Sequence, residues 1–187
     1  EDEDPAVRHA ALLSAAEKGF FDLRDRMEAR LAGDPDDEVR AAAAAALGEC
    51  RPLPEEPLRR AALMDPNREV RFEAAMALAQ AKMPGSAKLL VPFLEHEDLF
   101  NDSAQQLCRL GDASVRPDVE RLYGRRFQPA VRKLLLGALL SRLGDDRARA
   151  YMEKKTRALF LETRVWAIHA LGLAQTPWAQ KKLAEIA

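Results

Sequence analysis

Val39-Arg40-Ala41-Ala42-Ala43-Ala44-Ala45-Ala46-Leu47-Gly48 is followed 31 residues later by Val70-Arg71-Phe72-Glu73-Ala74-Ala75-Met76-Ala77-Leu78-Ala79, and the two stretches superpose without a gap. A fixed period of that length is the signature of a repeat architecture and has to be read before any globular pattern. Weaker copies begin at Val7-Arg8, Asp102-Ser103, Val131-Arg132 and Thr163-Arg164, the last ending in Ala170-Leu171-Gly172. The anchor positions 7, 39, 70, 102, 131 and 163 stand 32, 31, 32, 29 and 32 residues apart, so six copies fill the chain.

Each copy reads as two helices. The first is expected to open at Asp34-Pro35 or Asp65-Pro66, where Asp accepts orphan amide hydrogen bonds and Pro occupies the first helical position. Apolar residues then recur at spacings of three and four, as in Val70, Ala74, Ala77 and Leu78. Gly or Pro breaks the pattern at Gly19, Pro52, Pro84-Gly85, Gly111, Gly144 and Thr176-Pro177. The second helix has its own stripe, such as Leu89, Leu90, Phe93 and Leu94, or Val115, Val119 and Leu122. One helix pair cannot bury both stripes, so neighbouring pairs must stack around a shared core. The expected fold is all-α, a right-handed α-solenoid of about six helix pairs forming one domain over residues 1–187. Its repeats fall at about 4–33, 34–64, 65–97, 98–126, 127–158 and 159–187.

Composition agrees. The chain holds 34 Ala and 27 Leu but only 13 Val, Ile and Thr together, which favours helix over sheet. With 48% apolar and 32% charged residues and no apolar run of membrane-spanning length, it reads as a soluble folded protein without membrane contact. Cys50 and Cys108 lack a paired motif, which suggests a reducing, cytoplasmic setting and two small buried apolar groups. The opening Glu1-Asp2-Glu3-Asp4 reads as part of something longer.

The order Asp-Pro, Val-Arg, Ala-rich helix, Leu-Gly or Leu-Ala, complete in the second and third copies, resembles the HEAT-repeat family. It resembles in particular the short bacterial phycobilisome-lyase type. The fourth copy departs most, with Asp102-Ser103 in place of Val-Arg. The resemblance implies a ladder between adjacent repeats built from the Asp that opens the first helix and the Arg after Val. By that carry-over Asp34, Arg40, Asp65, Arg71, Arg132 and Arg164 are ladder members.

Chemistry is sparse. Deoxyhypusine hydroxylase resembles this fold and holds iron through His-Glu pairs in its first helices; the corresponding positions here read His9-Ala10, Ala41-Ala42, Phe72-Glu73, Ala104-Gln105, Lys133-Leu134 and Val165-Trp166. No copy keeps both ligands, and His96-Glu97 falls in a linker without a second imidazole. No metal or cofactor is expected. His9, His96 and His169 lie in different repeats, glycines occur singly rather than in a phosphate loop, and no Ser has a nucleophile context. Enzyme activity is therefore not read from these residues. Bilin lyases share the repeat and act on a client cysteine, so they need little catalytic signature of their own and form the alternative reading.

Charge is the remaining lead. The total is −1, but residues 1–100 carry 13 basic and 21 acidic groups, net −8, whereas residues 101–187 carry 16 and 9, net +7. The second helices of the later copies are the basic elements, and in solenoids of this kind they line the concave side. The expectation is a protein-interaction scaffold whose second-helix face binds an acidic protein partner through Arg121, Arg149, Lys154 and Lys181. Trp178, after Pro177 at the start of the last helix, reads either as an end cap over the final core or as an anchor for that partner. Nucleic acid, bound by HEAT-like DNA glycosylases in a basic groove, is the lesser alternative, because the pI near 6.4 is low and stacking platforms are few.

Overall fold

The computed structural model describes residues 2–187, and among them it holds twelve α-helices in six consecutive pairs and no strand. The chain divides into two units, Glu1–Leu90 and Val91–Ala187.

The first unit contains α1 (Pro5–Lys18), α2 (Arg24–Gly33), α3 (Asp37–Gly48), α4 (Glu55–Met64), α5 (Arg68–Gln80) and the short α6 (Ser86–Leu90). The first helices α1, α3 and α5 lie side by side, α2 packs on α3 and α4 on α5. This is the α-solenoid arrangement the two stripes demand. Val39, Leu47, Leu58, Val70 and Leu78 are fully buried between the layers, each stabilising by about 1.5–3 kcal/mol relative to exposure. Val7, the equivalent of Val39 and Val70 in α1, is 49% exposed. At Gly48 a Cβ would stand 2.9 Å from the Ala77 Cβ, so glycine is what lets α3 and α5 approach this closely.

The Asp-Pro signal needs correcting by two residues. Helix α3 is capped by Asp36, which accepts from the Val39 amide, and α5 by Asn67, which accepts from the Glu69 and Val70 amides. Asp34 and Asp65 instead close the turn before each cap, accepting from the Asp36 and Asn67 amides at 3.1 and 2.9 Å. That frees each carboxylate to face the previous helix pair. Arg8 donates from Nε and Nη2 to Asp34 at 2.9 and 2.8 Å, and Arg40 does the same to Asp65 at 2.9 and 3.1 Å. Forked pairs of this kind are the stronger class of charge-assisted hydrogen bond. The remaining Nη1 of Arg40 donates to the Asp34 carbonyl at 2.9 Å, and Arg71 Nη1 donates to the Asp65 and Pro66 carbonyls at 2.7 and 2.9 Å. Asn67 adds a hydrogen bond from its amide to the Asp37 carboxylate. A ladder therefore runs along the first helices of this unit, and Arg8 of the Val7-Arg8 anchor is a rung of it that the resemblance alone did not name.

The second unit opens with a 3-10 segment, Val91–Glu95, followed by α7 (Phe100–Leu110), α8 (Arg116–Tyr123), α9 (Ala130–Arg142), α10 (Arg149–Lys155), α11 (Leu161–Ala174) and α12 (Pro177–Ala184). Helix α9 lies between α7 and α11, with α8 and α10 laid on it and α12 on α11. Leu134, Leu135, Leu136, Leu139 and Leu140 of α9 are all buried, because a central helix is covered on every side. Gly137 is the close-approach point, since a Cβ there would lie 2.7 Å from that of Ala148.

Here the ladder stops. In α7 the buried positions Phe100, Ser103, Ala104, Leu107 and Cys108 repeat the spacing of Val39, Ala42, Ala43, Ala46 and Leu47 in α3. Phe100, not Asp102, is thus the fourth anchor, and the residue after it is Asn101 rather than Arg. Arg132 points backwards, donating to the Leu94 carbonyl and lying 4.5 Å over the Phe100 ring. Arg164 is exposed and pairs with no carboxylate among the described residues. Arg132 is therefore not a ladder member.

Candidate interaction surfaces

In the second unit the charges gather on the second helices. Glu95 accepts from Arg125 at 2.5 and 2.8 Å and from Arg121 at 3.2 Å, which ties the 3-10 segment to α8 and the loop after it. Those guanidiniums, Arg125 first, hold the Glu95 carboxyl below its ordinary range. Glu120 accepts from Arg116 at 2.9 Å and from Arg147 at 3.3 Å, while Arg147 also reaches Asp145 at 2.6 Å and keeps that carboxyl low as well. Arg149 bonds Glu153 one turn on at 2.9 Å and lies 5.2 Å over the Trp178 ring, and the Trp178 indole N–H donates to Asp146 at 2.8 Å. Acidic residues on the same face thus engage most of the arginines there.

The expected contact residues fall into three situations. Arg121 is held by Glu95, at one end of this set of pairs. Arg149 and Trp178 meet each other across α10 and α12. Lys154 and Lys181 are exposed, and no hydrogen bond or ion pair among the described residues holds either ammonium. Trp178 is half-buried and bonded to the neighbouring pair's turn, so it has both a covering and a presented side.

Two features were not foreseen. Glu95 and Asp145 organise the arginines: Asp145 takes the nearby Arg147 and, at 3.4 Å, Arg116, and Arg116 and both partners of Glu95 lie 26 to 30 residues away, a spacing a search for charge pairs one repeat apart would have caught. The other is Leu159-Phe160-Leu161, which is 89, 73 and 67% exposed at the entry to α11. An apolar triplet where a polar helix cap is usual was its signal in the sequence.

Elsewhere the side chains offer little reactive chemistry. Burial raises the thiol of Cys50 and pushes that of Cys108 up to about 12. His169 packs edge-on against the half-buried Trp166 at 5.6 Å. Among the described residues no group of three His, Cys, Asp or Glu side chains is placed to hold a metal ion, and no helix is long and apolar enough to cross a membrane.

Helix pairs stacked through a shared core, with rungs of charge between neighbours, define a helical-repeat protein whose assets are surfaces. Its sequence matches the model of HEAT repeats over residues 1–56 and 25–101, more than half of its length, and the chain belongs to that family. No curated protein matches it.

Proposed function

We propose that the protein is a non-enzymatic, cytoplasmic interaction scaffold that binds an acidic protein partner on the second-helix face of residues 91–187. The observation carrying this reading is the state of its cations. Lys154 and Lys181 are exposed without a carboxylate partner, and Arg121 and Arg149 sit in ion pairs that are half in water, with side chains 55 and 52% exposed. Such exposed pairs contribute only about 0–1 kcal/mol, so exchanging an internal carboxylate for a partner's costs little. Membership in the HEAT-repeat family supports a protein-binding role, and the short period near 31 residues supports the phycobilisome-lyase type among its variants.

The test is the triple variant Arg121→Glu, Arg149→Glu and Lys181→Glu, compared with the natural protein for melting and for capture of host proteins by affinity purification. Loss of a reproducible acidic partner with little change in melting supports the reading. Unchanged capture rejects it, a nucleic acid in place of a protein redirects it, and attachment of a bilin to a client cysteine would install the lyase alternative.

A further inference from the structure

Between α10 and the entry to α11 runs a groove of about 670 Å³, within the roughly 300–1,000 Å³ typical of ligand sites. Its apolar surface comes from Leu159 and Phe160, both largely exposed. Its rim is cationic: Lys154, Lys155 and Arg157 from α10 and the turn after it, and Lys182 from α12. Two of these ammonium groups have fixed positions, Lys155 lying 5.4 Å over the Tyr151 ring and Lys182 bonded to Glu185 at 2.7 Å. The one carboxylate lining the groove, Glu153, is already taken by Arg149. An exposed apolar patch rimmed by polar groups marks an interaction site, and cations outnumber carboxylates four to one in this lining.

The geometry points to a peptide-binding groove for an acidic segment carrying one large apolar anchor, which inserts against Leu159 and Phe160 while flanking Asp or Glu side chains meet Lys154, Arg157 and their neighbours. Charge complementarity decides the occupant. Lys154, Lys155 and Arg157 have no carboxylate bonded to them among the described residues, so they repel a basic peptide and favour an acidic one over a neutral one, and their arrangement about a concave groove suits a chain segment better than a flat lipid surface. This inference rests on the reading that residues 91–187 dock an acidic protein, and it names the element of that protein which is recognised and the place where it sits.

Selection of random peptides displayed against the full chain tests it, followed by fluorescence anisotropy of the synthesised winners. The expected winners carry Leu, Phe or Trp between acidic residues, bind more weakly as salt rises, and lose more than tenfold in affinity to Phe160→Ser and to Lys154→Glu with Arg157→Glu. These side chains are exposed, so melting does not fall, and Phe160→Ser, at the position that opens α11, should if anything raise it. Arg121→Glu, whose side chain does not line the groove, should still bind them. Basic or charge-neutral winners, or winners indifferent to both groove variants, overturn the inference. Loss confined to Arg121→Glu overturns it too while leaving the scaffold reading standing, and loss in no variant removes both. Without acidic winners, binding to phosphatidylserine vesicles that fails in Phe160→Ser would assign the groove to a membrane surface. Self-association that fails in the same variant would assign it to a second copy.

Discussion

Residues 1–90 bury their charges between first helices, whereas residues 91–187 spread theirs over second helices. In the ladder the Asp34 and Asp65 side chains are 0 and 8% exposed and their partners Arg8 and Arg40 are 10 and 12% exposed. In the second unit Arg121, Arg125, Arg147 and Arg149 are each 45 to 55% exposed. The same chemistry thus does two jobs. Removing one partner of a buried pair strands the other and costs several kcal/mol, while an exposed pair is screened and nearly neutral. One unit has its ions committed to stacking, and the other holds them where a partner can take them over.

The largest test of this contrast is Asp34→Ala. It strips Arg8 and Arg30 of their carboxylate and the Asp36 amide of its acceptor, and should cost about 3–5 kcal/mol, read as an earlier unfolding transition in urea by circular dichroism. A cost below about 1 kcal/mol would put the ladder in the same class as the exposed pairs. Next comes Gly137→Ala, whose new methyl collides with Ala148 and should destabilise by about 1–3 kcal/mol in the same measurement, less the helix propensity that alanine restores.

Acid gives an intermediate effect. Asp34 sits below its ordinary value of 3.8 through the Arg8 hydrogen bond, so its contribution is complete above that pH and fades as pH falls through the lowered folded value. Melting temperature should hold from neutrality to about pH 4 and then decline, and the decline below pH 4 should be shallower in Asp34→Asn, whose group at that position no longer titrates. The smallest effect is expected for Arg147→Ala, because Arg147 is half exposed and Asp145 keeps Arg116 as a partner, so the unfolding midpoint should move little. A larger loss would mean that the second-helix pairs are structural and poorly suited to exchange with a partner.

Period and composition were enough to read the helix pairs, because stripes at three and four residues have no other way to be buried. The ladder was legible in part: Asp34, Arg40 and Asp65 follow from the repeat, Arg8 stands in the Val7-Arg8 anchor although the carry-over did not extend to it, and Arg71 keeps the motif while the bonds described for it stay within its own repeat. Arg132 kept the motif and lost the partner, since no Asp-Pro precedes α11. Phe100 was hidden because an aromatic side chain replaced the small β-branched anchor two residues early, and only burial reveals that shift. The candidate surface was harder still. Net charge located the basic half, yet nothing local says that Glu95 reaches Arg121 and Arg125, or that Leu159 and Phe160 remain uncovered, because both depend on which helix ends meet.

The two cysteines have a practical consequence. Cys50 lies in one unit and Cys108 in the other, both buried, and the Cys108 thiol at about 12 is almost wholly protonated at neutral pH. Maleimide therefore finds neither while its surroundings stay closed. Each thiol is a clock for its own unit: the time taken to label Cys50 reports opening among residues 1–90, that for Cys108 among residues 91–187, and a single mass spectrum reads both from the unaltered chain.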